Sequence, residues 1–294
     1  MVNSKKFKKL IAFISAVCMT SVCMLSVSAD TVADNTQSIV QQDETTTIEN
    51  ELLDLGFAQD EVNDIIKYVG IDEVQSILNY TGTEKYDSNI STYADYDTAY
   101  HLKDSNGKNI NTYTNVKGYN TDGSCGSLAS AITFKYYKDY KGYNIPKCTT
   151  ANFKNFYNSI KPYVETARSS NLKDQCEGLA DFCKDNNIDL VPVLKQHNPN
   201  DVTNSVKSKI ILCAMYLNKN EPLIAAGTYG ANAGGHVVVI QGMVSHKNIN
   251  GDTIGATIEV NNGWGSVDKL DLEEFLDSNK QHAIHENSGI ICFL

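Results

Sequence analysis

The period of the apolar pattern changes once along this chain, and that change decides the class of fold. Between Ser124 and Asn186 apolar residues recur at helical spacing, which predicts helices over Ser124 to Tyr140, Asn152 to Tyr163 and Asp174 to Asn186. From Ile188 onward they gather into short Ile- and Val-rich runs bounded by Gly, Asn and Pro. Ile188 to Leu194, Ile210 to Tyr216, Leu223 to Gly227, His236 to Met243, Thr257 to Asn261 and Ile290 to Phe293 each read as a strand. Helices first and an antiparallel sheet second predict an α+β fold.

The front of the chain has a different character. Lys5, Lys6, Lys8 and Lys9 precede an apolar run closed by Val27-Ser28-Ala29, with no acid before Asp30. Residues 1–29 therefore read as a secretory signal peptide, and the product is expected outside the cell and off the membrane once it is removed. Residues 30–48, rich in Thr, Gln and Asp, read as a disordered leader. Leu52, Leu55, Val62, Ile65, Ile66, Val69, Val74 and Ile77 then recur over three short amphipathic helices within 49–80. They are too small for a core of their own and suit a propeptide or accessory segment packed on something else. A polar linker is expected over 81–98, leaving 99–294 as the main domain.

Charge follows the same division. Fourteen acidic residues face only Lys67 and Lys85 between Asp30 and Ile90, whereas the chain from Ser91 onward carries twenty-one acids against nineteen bases. A near-neutral main domain without a basic stripe argues against nucleic-acid binding. Six cysteines follow the signal segment, sparse and irregular: Cys125, Cys148, Cys176, Cys183, Cys213 and Cys292. Buried thiols are the better expectation than a disulfide framework, and nothing pairs them closely enough with His282 and His285 for a zinc site. No metal or organic cofactor is called for.

Three local features carry chemistry. In Gly118-Tyr119-Asn120-Thr121-Asp122-Gly123-Ser124-Cys125-Gly126, a turn runs straight into a helix of small residues, so Cys125 falls at a helix N-terminus. Free amides and the helix dipole there favour a thiolate and can hold an oxyanion. His236 opens an apolar strand after Gly234-Gly235, and imidazole suits proton transfer near neutrality. In Val260-Asn261-Asn262-Gly263-Trp264-Gly265 a strand ends in a tight turn, where an amide carbonyl can fix the imidazole and the indole can shield it. Each alone has an ordinary structural explanation; in the order Cys, His, Asn they supply nucleophile, base and orienter together.

Those three segments resemble the papain-like cysteine peptidase superfamily, specifically the bacterial branch of streptopain-like and double-glycine leader peptidases. The resemblance spans most of Lys117 to Leu270 in motif order and is close only in short stretches. It implies a two-lobe fold, a helical lobe with Cys125 against a sheet lobe with His236, and cleavage of a peptide or protein substrate by Cys125, His236 and Asn262. Trp264 would cover the His236–Asn262 bond. The front segment would be a propeptide in contact with the domain, making the chain a zymogen. Relatives carry Gln five or six residues before the nucleophile; here Tyr119 and Asn120 stand there, and Asn120 is the expected oxyanion donor. Asn261 is the alternative orienter, since strand alternation allows only one of the pair to serve. Competing readings are a peptidoglycan amidase or transglutaminase-like acyl transferase on the same residues, and an inactive secreted binding protein.

Overall fold

A computed structural model of the chain describes residues 45–83, 97–120, 123–165, 172–196, 198, 200–229, 235–276 and 288–294. The expected signal peptide, most of the leader and linker, and His282 and His285 lie outside these residues. The described chain runs through helix α1 (45–54), α2 (Gln59–Tyr68), α3 (Ile71–Leu78), strand β1 (Thr98–His101), α4 (Cys125–Tyr140), α5 (Phe153–Val164), α6 (Leu172–Asp185), β2 (Pro192–Gln196), α7 (Val202–Asn218), β3 (Leu223–Thr228), β4 (Gly235–Lys247), β5 (Thr253–Asn261), β6 (Val267–Asp271), α8 (Leu272–Leu276) and β7 (Gly289–Phe293). The class is α+β, as the change of period predicts.

The strands form one antiparallel sheet of order β2-β7-β3-β4-β5-β6, with β1 added beside β4. Strand β4 organises it. Its first half pairs with β3, from Thr228↔Gly235 to Leu223↔Ile240, and its second half pairs with β1 from His101↔Gly242 to Thr98↔Ser245. The opposite edge of β4 runs along β5.

Both faces of the sheet are covered at its centre, so β3, β7 and most of β4 are apolar on both sides. Val237, Val239, Ile224, Ile291 and Phe293 pack with α4, α5 and α6. Val238, Ile240, Ala225, Ile290 and Cys292, their alternates, pack with α7, α8 and the helices of 45–78. Helix α4 is buried from Gly126 through Tyr137, which places it centrally on its face. Ile48, Leu52, Val62, Ile65, Val74 and Ile77 are at most 2 % exposed, so α1–α3 complete the core on the α7 side. Polar ties fasten them: Ser76 Oγ donates to Gly251 O at 2.6 Å and Tyr80 Oη to Glu273 at 2.8 Å, while Lys195 pairs with Glu61 at 2.7 Å.

One expectation is overturned. Ile210 to Tyr216, read as a strand, lies inside the 17-residue helix α7, buried from Lys209 to Leu217. A short apolar run packed on nearly every side has no polar face to reveal its period. The helix is capped by Asp201, whose carboxylate accepts from Asn204 N at 3.3 Å, a cap placed nine residues before the apolar run. Strand β2 begins at Pro192 rather than Ile188, and β1 and β6 escape prediction because their burial is partial. Among the described residues no helix is long and apolar enough to cross a membrane.

Candidate active site

Cys125 is the first residue of α4, and Ser124 before it makes no side-chain cap. Ser124 thus leaves the first-turn amides uncapped, rather than satisfying them as its cap-like position suggests. The main-chain amides of Val237, Gly126 and Cys125 itself lie near enough to the Cys125 sulfur to favour its thiolate form. Val237 follows His236 directly, so the start of α4 and the start of β4 come together near this sulfur. Gln175 of α6 locks the turn: its Nε2 donates to Gly126 O at 3.0 Å and to Ser130 Oγ at 3.1 Å.

The helix terminus does not depress the thiol pKa as its placement predicts. Burial pushes the Cys125 thiol up, the three amides pull it down by less, and the Glu165 carboxylate adds to the rise. Burial likewise holds the His236 imidazole below its ordinary range, against a smaller opposing pull from its bond to Asn262. Both directions favour a neutral thiol and a neutral imidazole at rest.

His236 is 6 % exposed and its ring is fixed on three sides. Trp264, half exposed, stacks on it with centroids 4.3 Å apart and planes within 7°. Tyr229 meets it edge-on at 5.0 Å and meets Trp264 at 5.4 Å. His236 Nε2 lies 2.8 Å from the main-chain carbonyl of Asn262. A carbonyl only accepts, so Nε2 carries the proton and the neutral ring keeps its lone pair on Nδ1.

Asn262 therefore holds the ring through its main chain, not through the side-chain carbonyl expected of it. Its side chain builds the turn: Oδ1 accepts from Trp264 N at 2.8 Å, and Nδ2 donates to Asp268 at 2.8 Å and to Ser266. The alternative, Asn261, donates to Thr112 Oγ1 and Tyr113 O and accepts from Gly263 N. Gly263, at φ +74°, closes the turn. A Cβ there would stand 3.3 Å from Leu128 Cδ2 and 3.5 Å from Asn120 Nδ2, which seats the turn against α4 and Asn120 beside it.

Among the described residues, buried Asn120 Nδ2 has no hydrogen-bond partner. An amide donor left so costs about 1–3 kcal/mol, an expense that an acceptor arriving with substrate would remove. Tyr119, its neighbour, stacks on Phe153 and Tyr157 and so faces into the α5 layer. Two residues without a sequence signal also belong to the site. Tyr229 ends the β3 run, and its Oη donates to Asp268, the carboxylate that also anchors Asn262. Among the described residues no group of His, Cys, Asp and Glu could hold a metal ion. Compared with known proteins, the chain matches no family model and no curated protein.

Proposed function

We propose that this chain is a cysteine peptidase of papain-like, two-lobe architecture, with Cys125 as nucleophile, His236 as general base and Asn262 as the residue that holds the base. The observation that carries the reading is the junction at the Cys125 sulfur. The Val237 amide, which favours the Cys125 thiolate, follows directly on a histidine whose Nε2 is already engaged by Asn262 O, and that engagement leaves Nδ1 as the basic nitrogen.

In this mechanism His236 Nδ1 takes the thiol proton as the sulfur attacks a peptide carbonyl, and the C–N bond breaks as the same proton passes to the leaving amine. The Cys125 N–H and Asn120 Nδ2 receive the oxyanion of the tetrahedral intermediate. Water, deprotonated by His236, then releases the acyl group from sulfur. Trp264 and Tyr229 keep solvent from the His236–Asn262 bond and the ring in one orientation.

The substrate is a peptide or protein, and export by the basic-apolar N-terminus is part of the proposal. The helices of 45–78 pack on the α7 side of the sheet whereas Cys125 packs with the α4 side. A prosegment built from them would hold the zymogen in check by some means other than covering the sulfur.

The test is digestion of a denatured protein under reducing conditions by wild type and by Cys125→Ala, with the mass of the enzyme followed in parallel. Cleavage by wild type alone, with single-site labelling of Cys125 by a thiol-reactive epoxide, is the expected result. An unlabelled Cys125 with no cleavage of denatured protein or of peptidoglycan fragments would leave an inactive relative and end the proposal.

A further inference from the structure

Away from the proposed catalytic site, on the α7 side of the sheet, a cavity of about 340 Å³ opens between the turn after α1, the end of β2 and the first half of α7. That volume falls in the range of pockets for small molecules. Leu55, Phe57, Leu194 and Leu212 contribute its apolar walls, and Asn204 and Ser208 line it from α7. Lys209 lines it as well, although this lysine is only 4 % exposed.

Lys209 is costly where it stands. Its Nζ donates to Gln196 O at 2.9 Å, which uses one of three N–H donors on a neutral acceptor. Among the described residues no carboxylate lies within ion-pair distance of it. The titratable groups nearest to it are the Cys213 and Cys292 thiols, which burial keeps protonated, and a second cation, Lys195. Lys195 has a carboxylate of its own in Glu61. Of the acids on the cavity wall, Asp201 is engaged as the α7 cap by Asn204 N and Nδ2, and Asp54 is exposed at the rim. Burial brings the Lys209 pKa down to about 8, so the ammonium still carries its charge at neutrality. A buried charge without a partner normally costs several kcal/mol, and an apolar residue of similar volume would remove that cost. Nothing in the proposed peptidase mechanism uses it.

We propose that this cavity is a binding site for a small polar carboxylic acid, whose carboxylate pairs with the Lys209 ammonium while its polar substituents meet Asn204 and Ser208. The N-terminal turns of α7, with their positive dipole end, border the same space and favour the same charge. The inference stands apart from the catalytic reading, because Cys125 and His236 contribute nothing to it.

Thermal denaturation of the purified protein at pH 7 tests it, with lactate and succinate titrated to 30 mM against lactamide and succinamide at matched ionic strength. A ligand bound only by the folded state raises the Tm as its concentration passes its Kd. Wild type is expected to gain several degrees with an acid and nothing with the amides. Lys209→Met, which keeps the volume and removes the charge, should melt higher than wild type without ligand and ignore the acids. Ser208→Tyr, which fills the cavity and leaves Lys209 in place, should lose the response too. Failure of wild type to respond to either acid, or an undiminished response in both variants, would overturn the proposal.

Discussion

Burial at Cys125 and His236 decides in which direction the proposed chemistry depends on pH. A base whose pKa is lowered is ready above that depressed value, so the acid limb of kcat/KM is expected below pH 6.5. A thiol whose pKa is raised resists ionisation, so alkylation of Cys125 by iodoacetamide should stay slow at neutrality and climb only as the pH approaches and passes 9. A rate already level from about pH 5 would mean a preformed thiolate–imidazolium pair and would contradict this balance. Asp268 gives a second expectation, since it joins Tyr229 to the Asn262 turn. Asp268→Ala should lower kcat on the order of tenfold, about 1.4 kcal/mol, with KM little changed. Tyr229→Phe should cost less, because the ring contacts with His236 and Trp264 survive; steady-state kinetics on a peptide substrate would check both. Cys125, His236 and Trp264 were legible in sequence because each sits in a short run of Gly and strand residues that implies its placement. The Asn262 main-chain bond was not, since only the closed turn decides whether carbonyl or side chain faces the ring. Tyr229, Asp268 and Lys209 stand in segments that look ordinary until the fold brings their partners to them.

Among the elements, α1–α3 carry the clearest consequence. Six of their apolar side chains are almost fully buried against the α7 layer, and burying each contributes roughly 2 kcal/mol. The gross contribution, on the order of 12 kcal/mol, is comparable to the entire stability of an ordinary domain. Deleting residues 45–80 is therefore expected to give an insoluble or molten chain, whereas a cut between 83 and 97 should leave the front fragment bound. Gel filtration of protein nicked there, followed by mass analysis of the peak, would distinguish co-elution from release. The three helices were legible because each keeps one apolar face against an acidic one, with Gly56 and Gly70 between them at φ +88° and +89°. Helix α7 was not, because it is enclosed by the sheet on one side and by α2 and α3 on the other. Its residues lost the polar face on which helical periodicity depends, and Asp201 was the one local sign of a helix start.

At the scale of the molecule, alkaline pH should be the weak side. Burial raises the thiols of Cys148, Cys183 and Cys213 to about 12 and Cys176 to about 11, against an ordinary value of 9.0. Each stays protonated in the folded chain and ionises in the unfolded one, so its contribution is complete below pH 9 and is lost as the pH rises from 9 toward 12. Urea unfolding at pH 8, 9 and 10 should show the midpoint falling, and Cys148→Ser or Cys213→Ala should flatten the fall. The order of the sheet adds a constraint of another kind. Strand β7, residues Gly289–Phe293, lies between β2 and β3, and β1 pairs with residues of β4 far along the chain, as Thr98↔Ser245 shows. A ribosome delivers those β7 residues after the other described strands, and among the described residues β2 reaches the rest of the sheet through them. Each new chain must therefore wait with β2 and the surrounding apolar surface unpaired, exposed to aggregation and to holding chaperones, until β7 slides into the gap.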